Sequence, residues 1–253
     1  MKINIASNEV IHFIGIGGIG MSGLAQIMRN MGFSIQGSDL NRNKNTDRLH
    51  KLGIKVCIGH NKVNLNKATM VVMTSAIKKN NEELINAKIK KLPLFYRGEM
   101  LANIVALKKN IVITGSHGKT TTTSLVANIL VEAGLDPTVI NGGIINSLKN
   151  TAQLGKGDWA VIEADESDGS FLKLPITYSI VTNVDKEHLD YYGTFNNLKK
   201  SFSNFIDKTP SFGKSFICTD NKNLKSLLHQ SKSNNILTYG FEKNSNYQII
   251  NVK

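Results

Sequence analysis

Ile111–Thr114 is apolar and rich in β-branched residues, and Thr120–Ala133 carries a helical pattern; Gly115-Ser116-His117-Gly118-Lys119 joins them. A strand entering a helix through glycines and a lysine fits few architectures. The backbone N–H groups of such a loop cradle phosphate oxygens, Lys119 neutralises the terminal phosphates, and the Thr120 hydroxyl binds Mg2+. Ile113 stands where the full P-loop spacing has its first glycine, so the motif is the shorter G-x-x-G-K-T. This part of the chain is therefore expected to be an α/β layer with a nucleotide at a strand's carboxyl end.

A second glycine loop lies near the amino end. Val10–Ile14 reads as a strand and Gly20–Met31 as a helix with Met21, Leu24, Ala25 and Met28 on one face. Between them, Gly15, Gly17 and Gly20 satisfy G-x-G-x-x-G, with Gly18 also in the turn, and Asp39 follows about 20 residues on. The spacing predicts a nucleotide diphosphate at a helix amino terminus and leaves NAD or another diphosphate open. Asp39 reads either as an acceptor for a ribose hydroxyl or as a capping residue. Further strands are expected at Phe33–Gly37, Lys55–Ile58, Met70–Thr74 and Leu92–Phe95, with helices at Thr46–Leu52, Asn81–Lys90 and Arg97–Leu107. The polar break Lys108-Lys109-Asn110 marks the expected boundary. The series resumes through Trp159–Ala164, Tyr178–Thr182, Phe195–Ile206 and Ile236–Tyr239 to a last strand at Tyr247–Val252. The predicted fold is α/β: an N-terminal Rossmann-like parallel-sheet domain over 1–107, then a P-loop-type α/β domain over 108–253 that stops in mid-pattern.

The formal net charge of +12 invites a nucleic-acid reading, but the 31 basic residues are 27 Lys and 4 Arg beside 29 Asn. Base readers favour the arginine fork, so this balance reads as compositional drift, with no nucleic-acid partner expected. Cys57 and Cys218 have no CxxC partner, which fits structural thiols in a reducing compartment and a cytoplasmic protein. Val10–Met28 is apolar, but five glycines, His12 and Gln26 interrupt it, and no membrane partner is expected. Oligomeric state is not legible.

Two polar segments follow apolar strands of the second half: Glu163-Ala164-Asp165-Glu166-Ser167-Asp168, and Thr182-Asn183-Val184-Asp185-Lys186-Glu187-His188-Leu189-Asp190. A carboxylate in the first can complete a Mg2+ shell, and His188 is a candidate imidazole ligand with Asn183 and Asp190 orienting polar groups. Each alone reads equally as a solvated loop; their joint placement in one phosphate-loop domain favours a site.

The four segments Gly15–Gly23, Gly115–Thr123, Glu163–Asp168 and Asn183–Asp190, in this order, resemble the Mur ligase family. Thr74-Ser75-Ala76-Ile77 and Arg97-Gly98-Glu99-Met100-Leu101 extend the likeness, which runs over essentially the whole chain. The resemblance implies a three-domain ligase that joins L-alanine to the carboxylate of UDP-N-acetylmuramate through an acyl phosphate, using ATP and Mg2+. It implies that Gly15, Gly17, Gly18 and Gly20 hold the UDP diphosphate, with Ser38 and Asp39 near the uridine and Ser75 also on that substrate. It assigns ATP to Gly115, Ser116, His117, Gly118, Lys119, Thr120 and Thr121, one Mg2+ to Thr120 and Glu163, and a second to His188. Catalytic roles fall to Lys119, His117, Glu163, Asn183 and His188. The family's third, amino-acid-binding domain is expected to be absent from these 253 residues, leaving the chain inactive alone. A non-catalytic UDP-precursor or ATP-binding module, and a ligase attaching a preformed peptide, are the alternatives; a dehydrogenase has no use for Lys119 and Thr120.

Overall fold

Runs of Val, Ile, Phe and Met form the central strands, because a parallel strand is covered on both faces and gains from being apolar throughout. The computed structural model describes residues 9–145, 150–228, 231 and 234–250. They form two compact units: the described residues through Leu101 with Ile140–Leu154, and Ala102–Val139 with those from Gly155 onward.

The first unit runs β1 (Val10–Ile14), α1 (Ile19–Asn30), β2 (Ser34–Asp39), α2 (Lys44–Lys51), β3 (Lys55–Ile58), β4 (Met70–Met73), α3 (Glu82–Ile89), β5 (Leu94–Tyr96) and α4 (Arg97–Val105), whose last residues belong to the second unit. Its sheet has the order β3-β2-β1-β4-β5, parallel throughout. The chain crosses from β1 to β2 on one side and later to β4 on the other. The carboxyl end of β1 is therefore the switch point, where such sheets bind ligands. Ile14, Val71, Met73, Leu84 and Ala87 pack as one core cluster.

The second unit holds β6 (Lys109–Thr114), α5 (Lys119–Glu132), the first two residues of β7 (Thr138–Ile145), β9 (Trp159–Glu163), β10 (Tyr178–Val181), α6 (Leu189–Tyr192), α7 (Phe195–Asp207), β11 (Lys214–Cys218), α8 (Lys222–Leu228), β12 (Ile236–Gly240) and β13 (Tyr247–Gln248), while the rest of β7 and β8 (Asn150–Gln153) belong to the first unit. The strand order is β13-β12-β11-β10-β6-β9-β7-β8. β6 lies parallel between β10 and β9, with Thr114 beside Val181 and Ile113 beside Glu163, so three strands end at one level around a second switch point. Leu198, Phe202, Phe205 and Ile206 form the buried face of α7, and Phe171 stacks on Phe205 with ring centres 5.2 Å apart.

Capping separates the helices into two kinds. Asn43, Asn81 and Thr194 each accept backbone N–H bonds at the starts of α2, α3 and α7. α1 and α5 begin at Gly18 and Gly118 with no side-chain cap, so their first N–H groups stay available to a ligand.

The structure departs from expectation in places. Lys109 and Asn110 lie inside β6 rather than in a break, because they pair with Trp159 and Ala160 of β9, and the buried Asn110 satisfies its Nδ2 on the Val105 and Lys108 carbonyls at 3.1 and 2.8 Å. β8 and the short helices α6 and α8 had no clear periodic signal; Asn-Thr-Ala-Gln offers no apolar alternation. The last strand covers only Tyr247–Gln248, and residues 251–252 of its expected span lie outside the described residues. Among the described residues no helix is long and apolar enough to cross a membrane.

Candidate nucleotide sites

In the first unit the loop after β1 is pinned from β2. Gly15 N and Ile16 N both donate to the Ser38 carbonyl, at 2.8 and 2.9 Å. Asp39 Oδ2 accepts from Gly17 N at 2.8 Å and Oδ1 from Asn41 N at 3.3 Å, so this carboxylate shapes the loop directly. Asn45 Nδ2 closes the turn from above through the Gly17 carbonyl at 2.8 Å. Ser75 is exposed in the bend after β4, whose neighbour Thr74 would stand 3.0 Å from a Cβ on Gly15. Gly18 is exposed, and Gly20 lies beneath Arg97, whose Nη1 would be 2.9 Å from a Cβ there. Arg97 thus brings a cation to the start of α1. Nothing local in the sequence ties Arg97 to a loop 77 positions earlier.

In the second unit Gly115 and Gly118 take φ values of +139 and +78, which a residue with a Cβ adopts only under strain. The loop they shape is clamped by the segment after β10. Ser116 N donates to the Asn183 carbonyl at 3.1 Å, and His117 N to Asn183 Oδ1 at 2.7 Å. Asn183 Nδ2 and Thr182 Oγ1 return bonds to the His117 carbonyl at 3.0 and 2.7 Å. Asn183, expected to be catalytic, has both atoms of its side-chain amide bonded to the His117 backbone. His117 is 61% exposed, its Nε2 3.4 Å from Asp185 Oδ2 and 3.7 Å from Glu187 Oε1. Thr121 is an exposed residue of the first turn of α5.

Lys119 Nζ donates to the Gly115 carbonyl at 2.6 Å and to Glu166 Oε1 at 3.0 Å. It stands as close to Glu166 Oε2, yet that buried oxygen has no partner in hydrogen-bonding geometry. Burial pushes the Glu166 carboxyl above its ordinary value, and the nearby Lys119 charge opposes the shift without cancelling it. His188 Nε2 is 3.5 Å from Glu166 Oε1, and ligand atoms of Glu166, Glu187 and His188 all lie within 4.8 Å of one another. His188 holds φ +54 at the start of α6, unusual for a non-glycine residue and common at functional sites. Glu166 and Glu187 carry no distinguishing signal in the sequence. The first is one of four acids in a six-residue run, and only its burial distinguishes it.

These donors suit Mg2+. Thr120 Oγ1 lies 3.0–3.1 Å from the two Glu163 oxygens, close to the ~2.9 Å edge of an octahedral shell with ligands at about 2.05 Å. The Glu166 carboxylate, with His188 Nε2 3.5 Å from its Oε1, is a second, separate set of hard donors.

Comparison with known proteins agrees with this geometry. Residues 10–109 match the description "Mur ligase family, catalytic domain" and residues 113–253 match "Mur ligase middle domain". The whole chain is 62% identical to a UDP-N-acetylmuramate–L-alanine ligase of Pelagibacter ubique, covering 54% of it. It is 49% identical over its whole length to one of Rhodospirillum centenum, covering 52%. The chain thus spans about half the length of these curated relatives. Among solved structures, the UDP-N-acetylmuramate–alanine ligase of Thermotoga maritima superposes with TM-score 0.82 and 30% identity, over 93% of this chain and 53% of that one. The UDP-N-acetylmuramate:L-alanyl-gamma-D-glutamyl-meso-diaminopimelate ligase from Neisseria meningitides gives TM-score 0.87 and 26% identity, over 94% and 79%. With both halves matched in order and each glycine loop at a switch point, the chain belongs to the Mur ligase family.

Proposed function

We propose that this chain supplies the UDP-substrate and ATP-binding parts of a UDP-N-acetylmuramate–L-alanine ligase. The observation that carries this is the convergence of Lys119, Thr120, Glu163, Glu166 and His188 on one uncapped helix start, in a chain so close along its whole length to relatives of that name. On this reading the first unit's loop holds the UDP diphosphate, with Arg97 as its nearby cation, and the second unit's loop holds ATP. The muramoyl carboxylate attacks the γ-phosphorus, releasing ADP and leaving an acyl phosphate. The alanine amine then attacks the acyl carbon, and phosphate departs as the amide forms.

No step needs a nucleophilic side chain, so the work is positioning and charge neutralisation. The N–H groups of Gly118 to Thr121 face phosphate oxygens, Lys119 contributes a fixed positive charge, and Asn183 with Thr182 holds the loop rigid. Thr120 and Glu163 would hold one Mg2+, and Glu166, Glu187 and His188 a second. Bound Mg2+ supplies further neutralisation of the ATP phosphates. Two cysteines free of disulfides accord with a cytoplasmic setting.

The purified chain should bind UDP-N-acetylmuramate and ATP, each by calorimetry, and release no ADP in response to L-alanine. Failure to bind either nucleotide would sink the reading. Robust alanine-dependent turnover would instead show that these residues suffice. The likeness to the Neisseria enzyme favours a second reading, a ligase for preformed peptide. Offering full-length protein L-alanine or that peptide, and comparing ADP release, separates the two.

A further inference from the structure

Beneath the first unit's loop lies a buried polar cluster that the proposed chemistry does not use. His12 in β1 and Glu83 in α3 are 1% and 0% exposed, in a layer otherwise built of Val, Ile, Phe and Met. Glu83 Oε2 accepts from Ser38 Oγ at 2.6 Å and from His12 Nε2 at 3.1 Å. Its Oε1 accepts from Asn64 Nδ2 at 2.6 Å and Asn61 N at 3.2 Å. Gln36 Nε2 faces His12 Nδ1 at 3.3 Å and can only donate, so His12 presents its Nε2–H to the carboxylate. Ser38 gives its proton to Glu83 and therefore accepts from His60 Nδ1, 2.9 Å away. Burial alone would push the Glu83 carboxyl up, but the bonds from His12, Ser38 and Asn64 outweigh it and hold it below the ordinary glutamate value.

A buried carboxylate is costly, and an apolar residue at 83 would pack the core more simply. What Glu83 gains is a grip on Ser38. The Ser38 carbonyl receives the N–H groups of Gly15 and Ile16, and the next residue, Asp39, receives that of Gly17. Three successive amides of the glycine loop thus hang on two residues of β2, and the side chain of the first is tied to Glu83.

We propose that Glu83 is a positioning residue for the diphosphate loop, acting through Ser38 to set the orientation of the Gly15, Ile16 and Gly17 amides. This rests on reading that loop as the UDP site. Each oxygen of Glu83 faces two donors, so in Glu83→Gln the amide nitrogen confronts donors whichever way it turns.

The test is calorimetry of the 253-residue chain with UDP and, separately, ADP, together with amide hydrogen exchange. For Glu83→Gln we expect the UDP Kd to rise at least tenfold, the ADP Kd to stay within twofold, and exchange at Gly15 and Ile16 to quicken more than at β4. Should Glu83→Gln not fold, Ser38→Ala removes the linking hydroxyl at little cost in volume and is expected to show the same pattern. A folded variant with UDP affinity within twofold of the parent and unchanged exchange at Gly15 and Ile16 overturns the proposal. Uniformly faster exchange across β1, β2 and β4 overturns it too, since that marks only a weakened core. If the parent chain binds no UDP, the reading of the loop falls, and the exchange pattern still decides the role of Glu83.

Discussion

Lys119→Ala in the full-length enzyme is expected to lower kcat by about 10²–10³-fold, the usual effect of losing one preorganised charge-stabilising donor. Lys119 Nζ sits in the mouth of the loop, held by the Gly115 carbonyl and Glu166 rather than by solvent. The charge is therefore placed before ATP arrives and costs no reorganisation during transfer. Removing it also leaves the buried Glu166 without its cation, so some of the loss is electrostatic disturbance of the Glu166–His188 pair. Lys119→Met separates the two effects of the side chain. It keeps the aliphatic stem that packs in the loop and deletes only the charge. Equal losses in both variants identify the charge as the cause; near-normal rates in either would remove Lys119 from the mechanism.

Gly115→Ala should be as damaging for a different reason. At φ +139 a Cβ is strained, and here it would overlap Thr182 Oγ1 and stand 3.0 Å from the Asn183 carbonyl. Left-handed strain costs about 1–2 kcal/mol and overpacking about 1–3 kcal/mol. Together these cost about 2–5 kcal/mol, which corresponds to a loss of ATP affinity of roughly 30-fold or more. The loss falls on affinity because the clash pushes the loop off the segment that clamps it. Gly134→Ala is the control: φ is +73 there too, but nothing lies within 4 Å of the added Cβ. It should lower Tm slightly and leave ATP binding unchanged. If calorimetry showed Gly115→Ala binding ATP like the parent, the clamp of Thr182 and Asn183 would not matter to the loop.

How far the sequence reaches depends on where each signal is stored. β1 and β3 begin and end where the local pattern predicts, and the two glycine loops fall at strand ends because local spacing alone specifies a strand–turn–helix unit. Asn150–Gln153 has no such local signal; four polar or small residues become a strand only through their neighbours in the sheet. The site shows the same division. Lys119, Thr120 and Glu163 could be named because each lies in or beside a recognisable strand end. Choosing Glu166 from its acidic neighbours required knowing which carboxylate is buried. Asn183 is legible as a polar residue past a strand end, but its two bonds to the His117 backbone join segments 66 positions apart and leave no local signal. His12 and Glu83 are 71 positions apart, and a histidine in an apolar strand gives no hint of the acid that will meet it.

The capping pattern described above bears on how the empty protein breathes. A helix held by Asn43, Asn81 or Thr194 carries its own end-stop, whereas α1 and α5 receive theirs from outside. The first turns of these two helices lack the side-chain tether that α2, α3 and α7 carry, and local opening starts there more readily until a phosphate binds. Bound nucleotide is then the last piece of secondary structure to be added. Substrate capture and the completion of folding become one event at each loop.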